Sequence, residues 1–193
     1  MSNAPYADLP ALLAAAREKP GAMNYATFGL GTGPHLAGEM LSLAGAVRMT
    51  AVPYKGSADA LVGVVRGDVQ LAFDTLAASQ ALLQDGKLRS LAVISEKRTG
   101  FLPAVPAYGE LGLSDALYEA WYALAAPIGV SQAVSAPLEK ALQTVVTDTD
   151  FRQRMGQISM EATWMAPQPL KVMMEKEVTR YRAAVVRTNM PRG

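Results

Sequence analysis

The chain has 193 residues, half of them hydrophobic, and a formal net charge of +1. That is enough apolar chain for one buried domain, or for one and part of another. Near-neutral charge excludes the broad basic face that bulk nucleic-acid binding needs, and the absence of cysteine excludes disulfides and thiolate metal sites. Residues 1–7 lack the basic start and apolar core of a signal peptide. The apolar stretch at residues 121–126 is too short to span a bilayer. Whether Met1, Ser2, Asn3 and Ala4 are native or an added start stays open.

In chain order the pattern alternates helix and strand. Asp8 is placed to cap a helix running to Lys19, with Leu9, Leu12, Leu13 and Ala16 on one stripe and Pro20 and Gly21 ending it. A strand is predicted at residues 24–27, then a glycine-rich loop at 29–33. Pro34 suits the first turn of the next helix, whose buried face is Leu36, Met40 and Leu43. A strand at residues 47–52 leads to Pro53, Tyr54, Lys55 and Gly56. Ser57 is expected to cap a helix with the stripe Ala58, Leu61, Val62 and Val65. Gly67 and Asp68 turn the chain into a strand at residues 69–73. Asp74 and Thr75 open a helix to Leu83, Gly86 breaks it, and a strand is expected at 88–94. Strands separated by helix-length segments predict right-handed βαβ units and a parallel sheet.

Beyond residue 95 the composition shifts, and Pro103, Pro106, Gly109 and Gly112 mark an irregular connection. A strand is predicted at 118–126, a helix at 136–147 carrying Leu138, Ala141, Leu142 and Val145, and a short helix at 150–155. A strand at 159–164 and a last helix at 169–187, carrying Met174, Val178, Tyr181 and Val185, complete the pattern. Trp121, Tyr122 and Trp164 are read as core residues.

In a parallel sheet the loops leaving the carboxyl ends of the strands share one edge. Three such loops are small and polar, and each opens a helix, where unpaired N–H groups and the positive dipole end favour an anion. The candidate ligand residues are therefore Thr27, Phe28, Gly29, Gly31, Thr32, Gly33, His35, Tyr54, Lys55, Asp74 and Thr75. Gly29, Gly31 and Gly33 would let the backbone approach a ligand closely, but a plain strand-to-helix turn fits them equally. Lys55 would neutralise an anion or simply be solvated. Asp74 is by default an N-cap, with ligand contact the sharper option. His35, the only histidine, is read as steadying the loop from the first helical turn. With no cysteine or paired carboxylates beside it, no metal is expected there. The loop is followed by no Gly-Lys-Ser/Thr and resembles Gly-x-Gly-x-x-Gly only loosely, and no Gly-x-Ser-x-Gly elbow exists. No catalytic residue and no cofactor are expected. The alternative is a nucleotide- or phosphate-binding α/β enzyme domain that uses the 29–33 loop.

The stretch NYATFGLGTGPHLA at residues 24–37 resembles the NYGSSGNGSxxHLA pattern of Bug-type extracytoplasmic solute receptors of the tripartite tricarboxylate transporter family. VPYKG at 52–56, GDVQLAFDTL at 67–76, GKLRSLAV at 86–93, SEKR at 95–98 and LPAVPAYGELGL at 102–113 follow in the family's order, and residues 121–129 resemble its SWxGLxAPxG. The resemblance implies an α/β, periplasmic binding protein-like (Venus flytrap) fold with a parallel-type sheet and flanking helices. Residues 6–119 would be its second, ligand-binding domain, and 120–193 the C-terminal part of a partial first domain. It further implies a non-enzymatic periplasmic receptor for a small carboxylate, with membrane permease subunits as partners and no nucleic acid. Phe28 and Leu30 depart from the family's small hydroxyl residue and asparagine, so ligand identity does not carry over. The apolar stripes after about Glu119 are expected to pair with a second copy of the chain, the alternative being that the segment folds back on its own domain or is mobile.

Overall fold

Asp8 begins the first helix, α1 (Leu9–Glu18), by accepting the Ala11 N–H at 2.8 Å. Leu9, Leu12, Leu13 and Ala16 are all buried, which is the stripe the spacing predicts. The computed structural model describes residues 6–188 and 190, so Met1, Ser2, Asn3 and Ala4 lie outside the described residues. Three strands follow, β1 (Met23–Thr27), β2 (Met49–Pro53) and β3 (Leu71–Ala72), parallel and in the order β2-β1-β3. Met23 pairs with Met49 and Thr27 with Pro53 on one side, and Tyr25 pairs with Leu71 on the other. Helices α2 (Gly33–Ala44), α3 (Ser57–Arg66) and α4 (Leu76–Gln84) leave the carboxyl ends of these strands in turn.

Alternation along β1 sorts the core. Met23 and Tyr25 face α1 and α2 in the larger cluster with Leu12, Met40 and Leu41, whereas Ala26 faces α3 with Ala60 and Val69. Central position explains why β1 is buried on both faces. Tyr25, Leu12 and Leu41 are fully buried, each worth about 1.5–3 kcal/mol relative to exposure.

Several expected elements change. β3 is two residues rather than five; just before it the Gln70 N–H donates to Asn24 O at 3.0 Å, and the Gln70 side-chain Oε1, in place of a backbone carbonyl, accepts the Asn24 N–H at 2.8 Å. The strand expected at 88–94 is reduced to one parallel bridge, Val93 with Ala107. Its backbone bonds go to the Pro/Gly-rich connection, with Val93 N–H to Pro106 O at 2.9 Å and Tyr108 N–H to Val93 O at 3.0 Å. The strands expected at 118–126 and 159–164 do not form, since neither finds a partner ladder among the described residues. Within the irregular connection, short 3₁₀ turns occupy Gly109–Leu111 and Ser114–Ala116.

Three more helices follow: α5 (Gln132–Thr147), α6 (Thr149–Gln157) and α7 (Pro167–Thr188). α5 starts before the expected position and carries Pro137 inside it. Asp148 caps α6 by accepting the Phe151 N–H at 2.9 Å. The chain divides into two compact units, one of residues up to Ala120 with those from Val178 onward, the other Trp121–Glu177. Among the described residues every buried one lies in the first; in the second Trp121 Nε1–H donates to Glu177 Oε2 at 2.6 Å, and none is buried, the expected core residues Trp121, Tyr122 and Trp164 included.

Candidate functional site

The first loop is built around one carbonyl. Thr27, the last residue of β1 and fully buried, donates its hydroxyl to Gly29 O at 2.8 Å. Thr32 donates to the same oxygen at 2.7 Å, and the two hydroxyls lie 3.1 Å apart. Thr27 Oγ1 also accepts the Gly29 N–H at 3.3 Å. Gly29 at φ +121° and Gly31 at φ +77° supply the left-handed backbone this tight loop requires. Both candidate hydroxyls are thus committed within the loop.

His35, buried at the start of α2, draws the loop inward: its Nδ1 accepts the Gly31 N–H at 3.0 Å. Beneath it, Tyr25 OH donates to Glu39 Oε1 at 2.8 Å and approaches His35 O at 3.3 Å. The Tyr25 ring stacks beside the imidazole and fills the space left by Gly38. Burial first, and the bond to Glu39 second, push the Tyr25 phenol well above its ordinary pKa, so it stays a donor. Glu39 and Tyr25 were not among the expected site residues. The i, i+4 spacing of His35 and Glu39 was the readable signal.

The other loops meet this one at the same edge. Tyr54 N–H donates to Thr27 O at 2.8 Å, while the Tyr54 ring packs on Gly63 of α3. Lys55 is exposed, and Phe28 is half-buried against the Ala26, Ala60 and Val69 cluster. Ser57 does not cap α3. Gly56 is the cap residue, and the Ser57 hydroxyl donates to Asp74 Oδ2 at 2.5 Å, a carboxylate being the stronger acceptor. Asp74 in turn does not cap α4: its Oδ1 accepts the Thr75 N–H at 2.8 Å, and the Thr75 hydroxyl accepts the Ala78 N–H at 3.3 Å. Gly33 lies under the Tyr118 ring.

One asymmetry stands out among the three helix starts. α4 has a side-chain cap, but α2, starting after Thr32, and α3, starting after Gly56, have none. Their first-turn N–H groups therefore keep their capacity for an outside acceptor. Among the described residues no group of three or more His, Asp or Glu is placed to hold a metal, and no helix is long and apolar enough to cross a membrane. A separate open groove lies at the far end of α2, lined by Leu43, Asp115, Arg180 and Arg187.

The parallel sheet with its helix starts gathered at one edge has the fold of a periplasmic binding protein, as the solved structures it superposes on show. The chain belongs to the tripartite tricarboxylate transporter receptor family, whose family model matches residues 1–190. It is 30% identical over 182 residues to a UPF0065 protein from the tcbD-tcbE intergenic region of Pseudomonas sp. strain P51, an alignment covering 94% of this chain and 54% of that protein. Among solved structures, an R. palustris protein with adipate superposes with TM-score 0.86 at 29% identity, covering 97% of this chain and 63% of the other. The periplasmic binding protein BugD superposes with TM-score 0.83 at 25% identity, covering 100% of this chain and 65% of that one. The chain spans about half the length of the curated relatives it matches. Family membership favours the binding protein over the phosphate-binding enzyme domain.

Proposed function

We propose that this chain is the ligand-carrying part of a solute receptor that takes up a small carboxylate in the periplasm for the permease of a tripartite transporter. One observation carries the reading: the uncapped starts of α2 and α3 sit side by side at the carboxyl end of the sheet. A carboxylate accepts two or more N–H bonds there, and the exposed Lys55 just before α3 supplies countercharge. The adipate-bound R. palustris protein supports the ligand class. On this reading residues 6–119 are the receptor's second domain and 120–193 the C-terminal part of its first.

Calorimetry with adipate, malate, citrate and ATP tests it. A dicarboxylate binds, ATP does not, and Lys55→Met weakens binding several-fold. Absence of any carboxylate binding by a full-length relative carrying these loops sinks the reading. The exposed Leu138 and Val145 of α5 further support pairing with a second copy; light scattering showing a clean monomer at micromolar concentration rejects it.

A further inference from the structure

We propose that His35 is a positioning residue: held as the neutral imidazole with its proton on Nε2, it ties down the Gly31 amide and so withholds that N–H from the ligand. This rests on reading residues 29–33 as the ligand loop. The geometry fixes the tautomer. A backbone N–H can only donate, so Nδ1, 3.0 Å from Gly31 N, must carry a lone pair. The proton of a neutral ring then sits on Nε2, which faces Glu39 Oε1 at 4.0 Å. That oxygen is itself held by Tyr25 OH at 2.8 Å. Tyr25 therefore sets Glu39, Glu39 favours the proton on Nε2, and the free Nδ1 shapes the loop.

The consequence concerns selectivity. With the Thr27 and Thr32 hydroxyls turned onto Gly29 O and the Gly31 amide turned onto His35, the loop offers a ligand fewer donors than its glycines suggest. Recognition moves to the first turns of α2 and α3. His35 acts on the ligand only through the loop it shapes.

The test uses the full chain labelled with 15N. Long-range imidazole spectra should show Nδ1 as the pyridine-like nitrogen and Nε2 as the pyrrole-like one. The Gly31 amide should exchange slowly. In His35→Phe, which keeps the ring against Tyr25 but removes the acceptor, Gly31 exchange should rise on the order of tenfold, the loss of about one hydrogen bond. His35→Asn, whose Oδ1 replaces Nδ1, should restore most of that protection. Glu39→Gln should shift the tautomer population toward Nδ1–H. A pyrrole-like Nδ1 in the parent chain, or unchanged Gly31 exchange in a folded His35→Phe protein, overturns the proposal. If His35→Phe does not fold, the parent tautomer and the Glu39→Gln shift decide it. These readouts need no ligand, so failure of adipate to bind counts against the receptor reading and leaves the tautomer lock standing. A large adipate-induced shift of the Gly31 amide, with loss of its bond to Nδ1, counts against the lock.

Discussion

Helices α1 and α6 begin in the same way: Asp8 accepts the Ala11 N–H at 2.8 Å, and Asp148 accepts the Phe151 N–H at 2.9 Å. Yet α1 buries four residues and α6 none. The contrast extends to the two units. Leu12 and Leu41 are wholly buried, whereas Leu138, on an equally regular stripe of α5, is 61% exposed. Local chemistry decides where a helix starts. Whether its apolar face becomes core depends on what the chain brings opposite to it, and for Trp121–Glu177 the described residues of that unit bring nothing that buries it.

The sharpest way to break this contrast is hydrogen exchange. Amides of α2 should open only with global unfolding, and those of α6 locally, a difference on the order of a thousandfold in protection. Equal protection would show that the second unit has a core after all. Urea denaturation of Leu41→Ala should show a loss of about 2–5 kcal/mol, against about 0.5 kcal/mol or less for Leu138→Ala. Glycines invert the sign. In Gly38→Ala the new methyl meets the Tyr25 ring and should cost about 1–3 kcal/mol by overpacking. Gly156→Ala, with nothing near its Cβ, should raise the helicity of α6 by about 0.5–1 kcal/mol, read by circular dichroism. Tyr25→Phe should cost about 1 kcal/mol by removing the donor to Glu39.

The smallest effect lies on the surface of the first unit. Bonds from Arg98, then from the Ala107 N–H, hold the Glu110 carboxyl below its ordinary pKa. A lowered folded value means its contribution is present above the ordinary carboxylate range and fades as pH falls through the folded pKa. Glu110→Gln should therefore flatten acid titration of stability slightly, and no change in the slope below about pH 5 would show the pair to be solvated away.

What could be read from the sequence followed the same division. Asp8 with its four-residue stripe gave α1 nearly to the residue, and the strand–loop–helix order around residues 24–76 gave the parallel sheet and the edge where the loops gather. The expected strands at 118–126 and 159–164 failed because β-propensity describes a residue that fits a sheet, and a ladder also needs a neighbour. Ser57 and Asp74 were each read as caps of their own helix. Across the sheet edge they bond one another, a contact that no window of adjacent residues contains. Local spacing shows the His35 and Glu39 pair but not the bond that fixes Glu39, since Tyr25 lies fourteen positions back on another element.

Three glycines in the first unit each sit beneath a tyrosine: Gly33 under Tyr118, Gly38 under Tyr25 and Gly63 under Tyr54. A glycine codon is one base from alanine, so random mutation tries these positions often, and each trial drives a methyl into a ring. Escape takes a paired change, the tyrosine shrinking as the glycine grows, and single steps toward it leave either a clash or a hole. Leu30 and Lys55, both exposed beside the same edge, carry no such penalty. Change at those two positions is therefore the easier single step, while the tyrosine–glycine pairs hold the frame nearly still.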